Sequence, residues 1–306
     1  MARSRKSGRA IDGVFLLDKP LGESSNRYLQ RVRAIFNAKK AGHTGALDPL
    51  ASGMLPICLG ESTKFSQYLL DADKTYYVRA KLGIRTDTSD ADGEVVETRP
   101  VTVDTGQIKQ ACLAYLGDSE QVPSMYSALK HEGKPLYWYA RQGITVDRPA
   151  RPITIFDMSV DDITDDEFAL TVRVSKGTYI RSLVDDIGQD LGCGAYVTEL
   201  RRTRVANYPT EKMLTFDALQ ALADEHKDQR FEVIDQYLLT IDSPVACLPK
   251  CELTPAQQVG IQYGQAQRLT GEIGIGEYRL YCEGRFLGVG ELRADSHIYV
   301  KRLVHN

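Results

Sequence analysis

Two hydrophobic periods run through this chain in no regular order, and that mixture narrows its fold most. Over residues 75–82, Tyr76, Val78, Ala80 and Leu82 share one face and Tyr77, Arg79 and Lys81 the other, the period of a half-buried strand. Residues 169–176 alternate in the same way. Residues 24–37 instead place Leu29, Val32 and Phe36 at helical spacing behind Ser24 or Ser25, either of which can cap a helix. The same rule predicts helices over 62–70, over 104–116 with Ile108, Cys112 and Tyr115 in register, and over 182–191 with Gly192 at its end. Asp92-Gly93 marks a hairpin turn into residues 94–97. Strands and helices that mix without steady β-α-β alternation predict an α+β main domain.

The last stretch has another texture. From about residue 249, Gly260, Gly264, Gly271, Gly274, Gly276, Gly284, Gly288 and Gly290 separate short runs such as 278–282 and 286–289. That pattern predicts a small β-barrel. At the other end, Arg3, Arg5, Lys6 and Arg9 stand in ten residues without an acid, which predicts a mobile basic arm over 1–10. The apolar stretch after it, residues 14–17, is too short for a secretory signal. No apolar run approaches the ~20 residues of a membrane span. The expectation is therefore a cytoplasmic protein whose six cysteines are reduced.

Several patterns resemble chemistry and fail on inspection. Thr88 to Gly93 looks like the middle of a calcium loop, but its twelfth position would be Arg99, where a bidentate carboxylate is needed. No cysteines form a C-x-x-C pair, and the five histidines are scattered, so no metal is expected. There is no G-x-G-x-x-G after a strand, no P-loop and no G-x-S-x-G elbow. Nothing calls for a cofactor.

What survives is a loop over residues 42–53, with three glycines, His43 and one carboxylate, Asp48. Pro49 biases Asp48 toward an extended backbone, away from a helix surface. The alternative is an Asx-type turn before proline. Arg181 stands at a helix start, where a base is electrostatically disfavoured, and a residue that breaks a local rule invites an ion-pair partner. Asp48 is the candidate.

The net charge of −3 does not announce a nucleic-acid binder, but the charges are uneven. Residues 157–170 hold six acids and no base, whereas residues 124–151 carry Lys130, Lys134, Arg141, Arg148 and Arg151 among Tyr126, Tyr137, Trp138 and Tyr139. Interleaved bases and aromatics suit nucleic acid; an amphipathic helix with its aromatics in the core is the alternative. Pro135 suits the first turn of that helix and Gly143 its C-terminal cap. Arg201, Arg202 and Arg204 either extend the same basic face or form a solvated strand end.

These segments together resemble the bacterial tRNA pseudouridine-55 synthases of the TruB type. GHTGALDPLASGMLPICLGESTKF (42–65) is similar to the family's catalytic motif, and LDKPLGESS (17–25) to its N-terminal motif. Lys74-Thr75-Tyr76 with GIRTDTSDADGE (83–94) resembles its tyrosine motif, and VPSMYSALKHEGKPLYWYARQG (122–143) its RNA-gripping insertion. SKGTYIRSLVDDIGQDLG (175–192) and AYVTELRRTRVANY (195–208) resemble its arginine and leucine motifs, and the glycine-rich tail resembles a PUA domain.

The resemblance implies a catalytic domain over 11–248 built on a mixed, largely antiparallel sheet, with the insertion at about 124–152 and a PUA-like barrel over 249–306. It implies isomerisation of uridine 55 in the tRNA T-loop, without cofactor or metal, and leaves an added role in tRNA folding open. Asp48 matches the catalytic aspartate, acting on the ribose as nucleophile or base, and Arg181 its partner. Tyr76 matches the tyrosine that stacks on the target base and can take the C5 proton. His43, Tyr179 and Leu200 match pocket residues, and Lys130, Lys134 and Arg141 fall in the RNA-gripping segment. The expected partner is the T-arm of tRNA; the expected state is a monomer with no obligate protein partner and no membrane. The rivals are an RNA-binding protein with an idle site, and a glycoside hydrolase pairing Asp48 with a second carboxylate such as Glu61.

Overall fold

Apolar residues in unbroken runs, as in Val14 to Leu17 and Met54 to Leu59, need cover on both faces of a sheet. They get it in the computed structural model, which describes residues 8–270 and 274–305. The strands Gly13–Lys19 (β1) and Ala51–Leu59 (β3) are almost wholly buried and pair antiparallel. Phe15, Leu17, Leu55 and Ile57 face the main core, while Val14, Leu16, Met54 and Cys58 face a smaller cluster with Leu69, Val205 and Tyr208.

Among the described residues, ten strands make one sheet. From edge to edge its order is Leu214–Thr215, β1, β3, Ala195–Val205, Lys74–Leu82 (β4), Glu167–Val174, Arg151–Asp161 and Gly117–Gln121. Ala41–His43 (β2) adds to β3, and Leu238–Leu239 to β1. The pairings of β1 with Leu214–Thr215 and of β3 with Ala195–Val205 are parallel; the others are antiparallel. The helices Ser25–Ile35 (α1), Thr105–Leu113, Ile180–Asp190 and Phe216–Glu225 bury their apolar stripes against the main core. This is the α+β arrangement expected from the mixed periods. On β4, Val78, Ala80 and Leu82 are buried and Tyr76 is partly so.

Differences from expectation are local. The helix inside the insertion is only Leu136–Ala140, and Pro135 caps it from outside, not from its first turn. Gly143 does take the left-handed conformation, at φ +69°. Tyr137 is exposed, while Trp138 and Tyr139 pack edge to face at 5.0 Å, outside the main core. The basic arm lies outside the described residues through position 7, as does Gly271. From Gly8 on the chain is docked. Arg9 donates to the Phe36 carbonyl at 2.8 Å, forks onto Asp235 and stacks on Phe231.

The C-terminal sheet runs in the order Lys250–Glu252, Gly276–Cys282, Arg285–Leu292, His297–Leu303 and Gln267–Arg268, curling into a half-barrel. Gly288 has φ +141°, and a Cβ there would meet the Arg302 carbonyl at 2.1 Å, so only glycine lets these strands approach. This sheet is fixed to the first. Phe65 packs edge to face on Phe286 at 5.4 Å, in a cluster with Val245, Tyr281 and Val289. Lys64 donates to the Leu303 carbonyl at 2.9 Å, and Arg279 pairs with Asp242 at 3.1 Å.

Candidate active site

The loop between β2 and β3 carries Asp48, and three buried polar side chains and one backbone N–H brace it. Ser25, the first residue of α1 and 2% exposed, accepts the Leu47 N–H at 2.7 Å and donates to the Leu47 carbonyl at 2.9 Å. Lys19, fully buried at the end of β1, donates to the Ala51 and Pro20 carbonyls at 2.8 Å each. Arg202, 1% exposed, reaches from the strand Ala195–Val205 to the Met54 carbonyl at 2.7 Å and the Gly45 carbonyl at 3.1 Å. The Gly22 N–H donates to the Pro49 carbonyl at 2.8 Å. Burial lowers the Lys19 ammonium to about 8, against the pull of Asp48.

Asp48 does not form an Asx turn: Ala51 N–H bonds its backbone carbonyl, at 3.0 Å. Its half-exposed carboxylate meets Arg181 at 2.9 Å. Arg181 is itself 5% exposed, in the first turn of the helix Ile180–Asp190. It also pairs with Asp90 at 3.2 Å and donates to the Thr88 carbonyl at 2.8 Å and the Tyr126 carbonyl at 2.9 Å. Asp90 is 4% exposed and accepts from the Thr88 hydroxyl and the Asp92 N–H. Burial raises its carboxyl above the usual range, against the pull of Thr88 and Arg181. The calcium-like residues thus supply an anion to Arg181.

A cavity of about 220 Å³ opens on Asp48, lined also by Tyr76, Tyr126, Ser127, Tyr179, Arg181 and Leu200. Leu200 lies in register with Ala51 on one side and Val78 on the other, which sets it beside the loop. Tyr179 immediately precedes its helix, and its backbone N–H and carbonyl are both held by the buried Gln121 side chain, at 2.8 and 3.1 Å. Burial pushes the Tyr179 phenol above its ordinary value. A second cavity of about 590 Å³ adjoins through Asp48 and Arg181 and adds His43, Tyr137 and Arg141. His43 therefore lines the annex, not the smaller cavity. Burial and then Arg202 lower its imidazole, keeping it neutral near pH 7. A further cavity of about 690 Å³, between Tyr68, Arg173 and Tyr208, contains none of these residues.

The basic residues of the insertion are exposed, with Lys134 over the Trp138 ring at 3.5 Å and Arg141 near Tyr137. Arg148 instead ties the insertion's base, donating to the Pro123 carbonyl at 2.8 Å. The arginines near 202 do not form one basic face: Arg201 pairs with Asp18, Arg202 is buried, and Arg204 is exposed. Glu61 is engaged by Lys64 and the His305 N–H and lines neither cavity with Asp48. Sequence reasoning missed Asp90, Lys19, Arg202 and Ser25 as supports. Their one signal was polar residues in apolar or turn surroundings, and their distant partners lie 22 to 157 residues away.

Chemically, a carboxylate held in place by a buried guanidinium, beside aromatic and aliphatic walls, can act on a flat polar ring presented from outside. Comparison with known proteins bears on which ring. Residues 33–180 match the TruB family pseudouridylate synthase N-terminal domain, residues 181–246 the tRNA pseudouridylate synthase B C-terminal domain, and residues 249–304 the pseudouridine synthase II TruB C-terminal unit. A relative from Actinobacillus pleuropneumoniae, tRNA pseudouridine synthase B, is 56% identical over the full length of both chains. The protein of that name from Vibrio cholerae is 54% identical over 99% of each. Among solved structures, a chain of a Cbf5-Nop10-Gar1 complex is 26% identical, with a TM-score of 0.74 over 95% of this chain and 84% of that one.

Proposed function

The chain belongs to the TruB family of pseudouridylate synthases, and from that premise we propose that it isomerises uridine 55 in the T-loop of tRNA, with Asp48 acting on the ribose. The enzyme is a tRNA pseudouridine synthase. The observation that carries the residue assignment is the half-exposed Asp48 carboxylate at the 220 Å³ cavity, paired at 2.9 Å with a buried Arg181.

In the proposed reaction the C1′–N1 bond breaks, the uracil turns within the cavity, and C5 bonds to C1′. The C5 proton leaves and N1 gains one, so no atom is lost overall. Asp48 either attacks C1′ or removes a sugar proton, and Arg181 holds its carboxylate in position for both. Tyr76, on the partly buried face of β4, stacks on the ring and can take the C5 proton. Tyr179 and Leu200 close the walls, and His43 faces the neighbouring nucleotides from the annex. The base must leave its stack to enter so small a cavity. The insertion (124–152), through Lys130, Lys134 and Arg141, and the unit over 249–306 grip the RNA meanwhile.

The test is Asp48→Asn with unmodified tRNA, mapping pseudouridine by position. The expected outcome is tRNA binding within about threefold of wild type and no product, a loss of about a thousandfold or more. Near wild-type turnover would remove Asp48 from the chemistry. Product at another uridine would overturn the position, and release of free uracil would favour a hydrolase.

A further inference from the structure

Among the described residues, the side-chain oxygen of Ser127 is buried without a hydrogen-bond partner, and Ser127 lines the cavity that holds Asp48. The residue is 4% exposed. Its backbone is pinned: its carbonyl accepts the Tyr137 N–H at 3.1 Å, and the preceding carbonyl, of Tyr126, accepts from Arg181. Its hydroxyl lies near enough to the Tyr179 phenol to favour that group's ionised form, yet the two do not meet at hydrogen-bonding geometry. Buried hydroxyls in native proteins nearly always have partners. One left without, on the wall of a reaction cavity, is kept for what enters.

We propose that the Ser127 hydroxyl reads the target base, donating to a ring carbonyl of uracil both before and after the base turns. This rests on the uridine reading above. The chemistry of the ring supports it. Half a turn about the line through N3 and C6 brings C5 to the place of N1, and the same turn exchanges O2 and O4. A donor fixed in the wall therefore meets a carbonyl oxygen in either orientation. A serine hydroxyl can rotate to absorb the small misfit between the two. Ser127 thus holds the ring in register while it is bonded to nothing else. Because it comes from the insertion, the reading is complete only when that segment lies against the Asp48 loop.

The experiment uses Ser127→Ala in the full chain, with T-arm RNA carrying uridine, 2-thiouridine or 4-thiouridine at position 55. Sulfur accepts hydrogen bonds poorly, so each thio substitution is expected to slow the wild type about tenfold, and Ser127→Ala to slow reaction of ordinary uridine about tenfold. In the variant, neither thio substitution should add much further loss. RNA affinity should stay within twofold, and Tm should be unchanged or higher, because an unpaired buried hydroxyl has been removed. A variant with wild-type turnover would overturn the proposal. So would thio penalties as large in the variant as in wild type, or a lowered Tm accompanying them, since those mark a merely structural hydroxyl. Wild-type enzyme that leaves uridine 55 untouched would overturn the uridine reading itself, and does so without any variant.

Discussion

Arg181 carries two carboxylates and two carbonyls from three separate segments: the Asp48 loop, the turn holding Thr88 and Asp90, and the insertion at Tyr126. A lysine offers a point charge and cannot fork to all of them. Arg181→Lys is expected to lower turnover about a hundredfold or more while leaving tRNA affinity nearly intact, measured in single-turnover assays. Lys19 makes a pH prediction. Its folded value is about 8 against an ordinary 10.5, so between those limits the unfolded chain binds the extra proton and stability rises with pH. The gain over that window is at most roughly 3 kcal/mol. Lys19→Met removes it, so the difference in Tm between wild type and variant should shift in favour of wild type from pH 8 to pH 10. At this scale the sequence was half legible. The adjacency of Asp48 and Arg181 could be inferred, because a base in the first turn of a helix breaks a local rule. Asp90 could not, because a buried carboxylate in a turn and a solvated one have the same spelling. What separates them is an arginine 91 positions further on, brought close only by folding.

The elements around the site are set by close approach as much as by propensity. Gly53 in β3 has φ +100°, and a Cβ there would stand 2.2 Å from the Arg202 carbonyl of the neighbouring strand. Gly53→Ala is expected to cost several kcal/mol, on the order of 3, and to lower Tm; activity of whatever remains folded should fall too, since Arg202 braces the Asp48 loop. The insertion makes a different prediction. If Lys130 and Arg141 each neutralise a phosphate, Lys130→Ala and Arg141→Ala should each weaken tRNA binding and reduce the slope of log affinity against log salt by about one. An unchanged slope in titrations at several salt concentrations would deny them that role. The alternating strand β4 and the long helices were readable from period, because each has one buried face, whereas β1 and β3, buried on both, carry no such period. The helix Leu136–Ala140 was expected longer, because its aromatic run imitates an apolar stripe although only Leu136 is fully buried.

Across the whole molecule, the turn that follows β3 shares an apolar contact with the C-terminal sheet, Phe65 with Phe286, rimmed by an ion pair and a hydrogen bond. Phe286→Ala is expected to cost about 3 kcal/mol and to split a single calorimetric transition into two, while chemistry on a minimal T-arm RNA continues. Among the described residues, no helix is long and apolar enough to cross a membrane. The mixed sheet order could not be read from sequence, since strand pairing joins residues as distant as Leu17 and Leu214. That distance has a consequence for how the molecule comes into being. Asp48 leaves the ribosome early, but the guanidinium that braces its loop at Gly45 comes 157 residues later, some ten seconds or more of translation at ordinary bacterial speed. A nascent or truncated chain ending before Ala195 has the carboxylate without the Arg202 brace and without Leu200 in the cavity wall. Such a chain is expected to bind no substrate base productively, and two separately made pieces, cut between Asp190 and Ala195, should regain activity only on reassociation.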